Sequence, residues 1–323
     1  MRNIVLPLLL LVELGLLLPL SGVDFSSWAE FRESAGWYFR DLFVQAAPLL
    51  ILVSGMTIVL ATAGIDLSVG SIVALVACVM ASFDASGTFW MTAVPMGLLV
   101  ALSLGAFNGF LIAMLDIPPI IATLGTLFFY RGLCQVVLGS LERGPFHEVP
   151  GYEWFGELSG SLLLVSVVLV AGGLLFRYSR WRREVLFIGG NRIAARYAGI
   201  PVTRRTWQVY TLMGILCFPA AIAFTARNGS VTASSLAGFE LEVIVAVVLG
   251  GTRVSGGFAS ISGSFFGAML VAVLREGLRG AGSNAWIEKN LPFEVNHLSF
   301  VLLGALLLLG VLLNTHTPRS AKQ

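Results

Sequence analysis

Long apolar runs, separated by short polar breaks, fill almost the whole chain. A helix that crosses a bilayer needs about 20 mostly apolar residues. The pattern predicts an all-α integral membrane protein with about ten transmembrane helices, some of them broken or re-entrant, in a single polytopic domain (1–323). The predicted spans are residues 4–20, 42–62, 70–84, 89–114, 118–139, 161–177, 207–226, 239–252, 258–276 and 298–314, with 239–252 short enough to be a half-helix.

The composition supports a membrane protein over its full length. Hydrophobic residues make up 57% of the chain and charged residues only 12%, whereas soluble domains are about 25% charged. The mean hydropathy is +0.88. The formal net charge of +2 gives no reason to expect a nucleic-acid partner.

Residues that carry common enzyme chemistry are sparse. The three cysteines lie in apolar runs and are expected to pack as small side chains, and the three histidines are far apart. Neither of the two lysines follows a glycine-rich loop, as a phosphate-binding loop requires. We therefore expect no metal, no cofactor and no ATP hydrolysis by this chain.

The distribution of arginine predicts the orientation. Residues 177–205 hold eight of the chain's 20 Lys and Arg residues, and short basic loops stay cytoplasmic. The preceding loop, 140–160, is acidic and is expected on the other side. Counting spans in both directions places both termini in the cytoplasm, and the aromatic residues of 21–41 predict an outer interfacial segment.

The break between the second and third spans reads Gly64-Ile65-Asp66-Leu67-Ser68-Val69-Gly70. A carboxylate at the bilayer centre costs roughly 2.5–3.5 kcal/mol, and glycines allow the chain to leave helical geometry. One interpretation makes Asp66 the N-cap of the next helix, accepting from the N–H of Ser68 or Val69. The other places Asp66 on a substrate route or gate; a proton relay has least support.

The arginine-rich segment contains the signals of a short capped helix. Asn191 is a good N-cap, Gly199 fits the position after the last turn, and Pro201 prevents continuation. Such a helix is suited to docking a partner protein; the alternative is a helix lying on anionic lipid. The candidate docking residues are Gly189, Gly190, Asn191, Arg192, Ala194, Ala195, Arg196 and Gly199.

Two further segments interrupt apolar runs. Glu240 begins a short run that ends in two glycine pairs, which are typical of a hinge, and Thr123 follows two prolines. A threonine inside a span bonds to backbone or to a neighbouring helix, or contacts a ligand. The candidate pathway or gate residues are Gly64, Asp66, Ser68, Gly70, Thr123, Glu240, Gly250, Gly251, Gly256 and Gly257.

Four segments together resemble one family. GIDLSVGS at 64–71, the run at 108–132, GGNRIAARYAGI at 189–200 and the run at 238–268 resemble the permease subunit of ribose-type sugar importers, a branch of the bacterial ABC transporters. The resemblance extends over about residues 50–280. One departure is Arg192-Ile193, where the family usually has Pro-Glu, which puts a shared ATPase in doubt.

The resemblance implies a subunit of the bacterial inner membrane that pairs with a second copy or a paralogue. It also implies cytoplasmic ATPase subunits, an external solute-binding protein, and a monosaccharide or related small polyhydroxy solute. Within a cytoplasmic coupling loop (178–206), residues 189–200 are similar to the family's coupling helix. Branched-chain amino-acid permeases share a related pattern, and an ion-driven secondary transporter or a membrane enzyme are competing hypotheses.

Overall fold

The computed structural model describes residues 2–21, 23–83, 88–282 and 295–316, which form twelve α-helices and contain no β-strand. This confirms the predicted all-α fold. In the described residues, five helices are long and apolar enough to cross a membrane: Trp28–Ala61, Phe89–Ala113, Pro119–Leu138, Val202–Asn228 and Ile261–Gly282. The helices are α1 Arg2–Leu17, α2 Trp28–Ala61, α3 Val69–Met80, α4 Phe89–Ala113, α5 Pro119–Leu138, α6 Leu158–Tyr178, α7 Arg180–Gly190, α8 Arg192–Tyr197, α9 Val202–Asn228, α10 Phe239–Leu249, α11 Ile261–Gly282 and α12 Val295–His316.

Helix α2 is the centre of the bundle. Every residue from Ala46 to Ala61 is buried, as expected for a helix that is apolar on all sides. The helix begins after Ser27, whose hydroxyl accepts from the Glu30 N–H. The segment 21–41, predicted as an interfacial loop, is instead helical from Trp28 onward and continues into the span as one helix.

Helices α4 and α9 form the most extensive helix pair through facing small residues. A Cβ atom at Gly105 would lie 2.6 Å from the Gly214 Cα, and the reverse substitution would make the same clash. Gly109 packs equally closely against the backbone of Trp207. Small residues allow two membrane helices to approach within backbone contact, so this pair supplies a rigid support for the elements around it.

Helices α3 and α10 are too short to cross a bilayer alone. They have 12 and 11 residues and are therefore roughly 18 and 16 Å long, against a core of about 30 Å. The full helical span predicted for 70–84 is thus wrong, whereas the half-helix predicted at 239–252 is present. Their N-termini meet, since a Cβ at Gly70 would lie 2.7 Å from a Glu240 carboxylate oxygen.

The bundle has two distinct ends. The arginine-rich end carries α7 and α8, and here Arg192 pairs with Asp116 in the loop between α4 and α5. At the opposite end, the backbones of Arg143 and Val231 form a bridge. Since α5 and α6 connect the two ends, the loops 140–160 and 177–205 lie at opposite ends of the bundle, as predicted.

Candidate translocation and coupling site

The break between α2 and α3 contains a buried polar network. The Asp66 Oδ1 accepts from the Ser68 N–H at 2.9 Å and from the Ser68 hydroxyl at 2.6 Å. The Ser68 Oγ accepts from the Asn108 amide at 2.7 Å, and the Asn108 Oδ1 accepts from the Tyr130 hydroxyl at 2.9 Å. All four side chains are fully buried, so the network connects the break to α4 and α5.

This geometry corrects one part of the prediction for Asp66. Ser68, not Asp66, occupies the N-cap position of α3, and it makes no side-chain capping bond. Asp66 does accept from the Ser68 N–H, as expected, but from a position two residues before the N-cap. Among the described residues the Asp66 Oδ2 has no hydrogen-bond partner. The carboxylate therefore fixes the shape of the turn and lies inside the bundle.

The backbone of the break is also held from the side. The Ile65 carbonyl accepts from the Thr123 hydroxyl at 3.3 Å and from the Tyr210 hydroxyl at 3.5 Å. A Cβ at Gly64 would collide with the same Tyr210 hydroxyl. Irregular backbone at membrane depth is tolerated only where protein or water satisfies its polar groups, and here side chains of α5 and α9 do so.

The start of α10 is shaped by an arginine that the sequence reasoning did not select. The Arg131 guanidinium donates to the carbonyls of Ala233 and Ser235 at 2.9 and 2.6 Å. These bonds hold the turn that leads into α10 against α5. Glu240, in the first turn of α10, lies against Gly70, and its Oε2 has no hydrogen-bond partner among the described residues. The two half-helices thus meet with a carboxylate between them.

Helix α8 has the predicted local structure. The Asn191 Oδ1 accepts from the N–H groups of Ile193 and Ala194 at 3.0 and 2.9 Å. Gly199 has φ +76, a left-handed conformation that suits glycine after a helix end. The next helix, α9, begins at Val202, directly after Pro201. The helix is therefore set by its two caps.

The exposed face of α8 does not include Ala195, one of the predicted docking residues. Ala195 is fully buried and packs in a small cluster with Ile188 and Val202, so it does not lie on a docking surface. The exposed large apolar side chains are Ile193, at 68% exposure, and Tyr197, at 90%. These two are four residues apart and share one face. The sequence reasoning missed them because the face of a six-residue helix depends on what lies beneath it.

Both arginines of α8 contact the loop between α4 and α5. Arg192 lies 3.5 Å and Arg196 4.0 Å from the Asp116 carboxylate. Asp116 has φ +51, an uncommon conformation for a residue other than glycine. These groups are exposed, so the pairs contribute little to stability. The rotation of α8 follows instead from the burial of Ala195 against Ile188 and Val202, which leaves the apolar pair outward.

The end of α7 touches the end of α2 and the glycine turn at 256–257. A Cβ at Gly189 would lie 2.7 Å from the Gly257 nitrogen and closer still to the Ala61 carbonyl oxygen. The Gly257 N–H donates to that same carbonyl at 3.1 Å. A Cβ at Gly256 would meet Ala63 and the Gly189 carbonyl. Candidate docking residues and candidate hinge residues thus form one junction, whereas Gly190 faces open space.

The other glycine pair joins α10 to α11. A Cβ at Gly250 would overlap the backbone of Ser264, and Gly251 has φ +87. The Ser264 hydroxyl accepts from Thr57 of α2 at 2.7 Å. These contacts join three helices beside the junction, so Gly250 serves close packing and Gly251 the left-handed turn after α10.

Comparison with known proteins places the chain in a family. A family profile described as the permease component of the branched-chain amino acid transport system matches residues 38–311. The chain belongs to the ribose-type ABC-importer permease family. It is 32% identical to the ribose import permease protein of Escherichia coli (strain K12) over 77% of this chain and 79% of that protein.

Two further relatives have similar coverage. The ribose import permease protein of Bacillus subtilis is 33% identical over 85% of this chain and 83% of its own length. The fructose import permease protein of Bifidobacterium longum is 32% identical over 73% of this chain and 74% of its own. No solved structure matches the chain. The matched range of the permease family contains the break, α8 and both glycine pairs.

Some of the residues around the break and the start of α10 could have been identified from the sequence. Asn108 and Arg131 are polar groups inside apolar spans, and such residues face the bundle interior and find partners. Tyr130 and Tyr210 gave no comparable signal, since tyrosine is common both in the interior and at membrane interfaces.

Proposed function

We propose that this chain is the membrane permease of an ABC importer for a monosaccharide or a related small polyhydroxy solute. The relatives named for ribose and fructose import support a sugar more than a branched-chain amino acid, although the family description names the latter. The chain would form the translocation path, and a partner subunit would hydrolyse ATP. Both termini would lie in the cytoplasm with α7 and α8.

The contact of Gly189 with Ala61 and Gly257 carries the coupling part of this proposal. An ATPase seated on the Ile193–Tyr197 face of α8 would move α8 together with α7. The end of α7 lies in backbone contact with the end of α2. The movement would therefore pass directly from α7 to residues 62–68, which follow α2. The break and the meeting point of Gly70 and Glu240 would then act as the gate.

The proposed partners follow from the same arrangement. A second copy or a paralogue would complete the path, and an external solute-binding protein would deliver the sugar at the end opposite to α8. Asp66 would shape the gate without binding sugar, because its side chain is fully buried and its Oδ1 already accepts two hydrogen bonds from Ser68. Membrane lipid would surround the exposed apolar faces of α4 and α5.

The docking step can be tested with Tyr197→Glu, which places a charge on the exposed face of α8. We expect loss of co-purifying ATPase and loss of ATP-driven uptake, with unchanged membrane insertion. Leu141→Glu is the matched control for ATPase co-purification, since Leu141 is 59% exposed in the loop at the opposite end from α8. Normal ATPase binding by Tyr197→Glu would contradict the docking face.

The substrate class needs a separate measurement. The complex should be reconstituted in proteoliposomes with labelled ribose, fructose and leucine, with this chain omitted as the control. ATP-dependent uptake of a sugar, but not of leucine, is expected. Uptake of leucine alone would favour the branched-chain amino-acid alternative, and uptake driven by an ion gradient without ATP would favour a secondary transporter.

A further inference from the structure

A groove of about 700 Å³ runs between α6 and the start of α11. Its walls are mostly apolar, with Val170 and Leu174 of α6 opposite Phe265 and Phe266 of α11. Val170 and Leu174 are 59% and 55% exposed, so the groove opens on the outer surface of the bundle. An apolar surface groove on a membrane helix is suited to a hydrocarbon chain.

The end of the groove towards α7 is polar and positively charged. Arg182 lines it together with the hydroxyl residues Ser260 and Ser262. The Arg182 guanidinium lies 5.6 Å from the ring centre of Phe176, and none of the ion pairs found among the described residues includes Arg182. The groove therefore offers an unneutralised cation at one end of an apolar channel.

The surroundings of Arg182 add to this positive charge. Arg180 and Arg183 lie in the same first turn of α7. Glu184, the acid of this helix, is already paired with Arg205. Basic pockets between membrane helices at the cytoplasmic surface attract anionic headgroups, and a guanidinium can bind a phosphate through two parallel hydrogen bonds.

We propose that this groove binds one anionic glycerophospholipid, with its phosphate at Arg182 and an acyl chain between α6 and α11. Charge complementarity selects this occupant, because the groove combines a cationic head and an apolar body and contains no acidic lining residue. The lipid would contact Ser260 and Ser262 at the start of α11, directly after the glycine turn at 256–257. This inference does not depend on the transported solute.

The test uses the full chain in detergent, with native mass spectrometry after titration of dioleoyl-phosphatidylglycerol or dioleoyl-phosphatidylcholine. We expect tighter binding of phosphatidylglycerol, by about fivefold for the arginine contact. Arg182→Gln should abolish this preference, and Arg182→Lys should keep most of it. Arg204→Gln is the charge-matched control, since Arg204 is exposed and lies outside the groove.

A second pair of variants tests the apolar channel. Gly173 lines the groove, and open space surrounds it. Gly173→Trp should fill the channel and weaken both lipids, whereas Gly172→Trp, at an equally open site outside the lining, should not. Equal binding of both lipids by the wild type, or equal losses in Arg182→Gln and Arg204→Gln, would overturn the proposal. A changed oligomeric state with unchanged lipid binding in Gly173→Trp would assign the groove to a second copy instead.

Discussion

Replacing Gly189 with alanine tests whether the junction between α7 and α2 matters. The added Cβ would overlap the Ala61 carbonyl and lie 2.7 Å from the Gly257 nitrogen. Both contacts are with backbone, which cannot rotate away. Gly190 is the matched control, because it is the next residue of the same helix and a Cβ there meets nothing within 4 Å.

Three contributions determine how much each substitution changes the free energy of unfolding. Replacing glycine by alanine in a helix stabilises it by about 1 kcal/mol at either position. At Gly189 alone, the overlap costs about 1–3 kcal/mol, and loss of the Gly257–Ala61 hydrogen bond costs about 1 kcal/mol. We therefore expect Gly189→Ala to be about 2–4 kcal/mol less stable than Gly190→Ala.

The assay compares both variants as purified full-length proteins in nanodiscs, by thermal unfolding at one scan rate. It then compares them in the reconstituted complex, by ATP-driven uptake and by ATP hydrolysis. Gly189→Ala should unfold at lower temperature than Gly190→Ala and should hydrolyse ATP with reduced uptake. If the two variants are indistinguishable in stability and in uptake, the junction does not transmit the movement.

Two further predictions concern the break and its support. Asp66→Asn keeps the oxygen that accepts both hydrogen bonds from Ser68, so this variant should insert normally and retain most uptake. Asp66→Leu leaves the two Ser68 donors buried without a partner and should lose uptake. Complete loss of uptake in Asp66→Asn with normal insertion would contradict this role. Gly105→Val should lower the unfolding temperature, because its Cβ would lie 2.6 Å from the Gly214 Cα. Gly125→Val, at an open position of α5, should change the unfolding temperature little. Equal effects of the two variants would argue against a tight contact between α4 and α9.

The features that were predictable from sequence are those set by neighbouring residues. Asn191 and Gly199 carry the two capping signals of α8, and both lie where those signals place them. The membrane class and the contrast between the two loops follow from composition and arginine spacing. These properties depend on local hydrogen bonds and on transfer to lipid, and neither requires knowledge of the tertiary structure.

The features that were missed depend on packing between distant segments. The spacing of apolar and polar residues could not show that Ala195 is on the buried side of α8 and Tyr197 on its exposed side. A helix of fewer than two turns has too few residues to define a face. The predicted span 70–84 extends past the end of α3 at Met80, because Ala81 and Phe83 are still apolar and no proline or glycine marks the end of the helix there. The network of Asp66 and Asn108 joins residues 42 positions apart in sequence, which no local pattern reports.

The Ala61 junction follows from the general requirement that the carbonyls at a helix end find donors. At the end of α2, the Val59 carbonyl accepts from Thr62 and Gly64, and the Leu60 carbonyl accepts from Ala63. The Ala61 carbonyl accepts from Gly257, a residue almost 200 positions away. The cap of α2 is thus supplied partly by the glycine turn that also touches Gly189. On the proposed function, a movement of α7 that displaces this turn would remove the cap at the point where the break begins. Docking and gating would then depend on the same hydrogen bond.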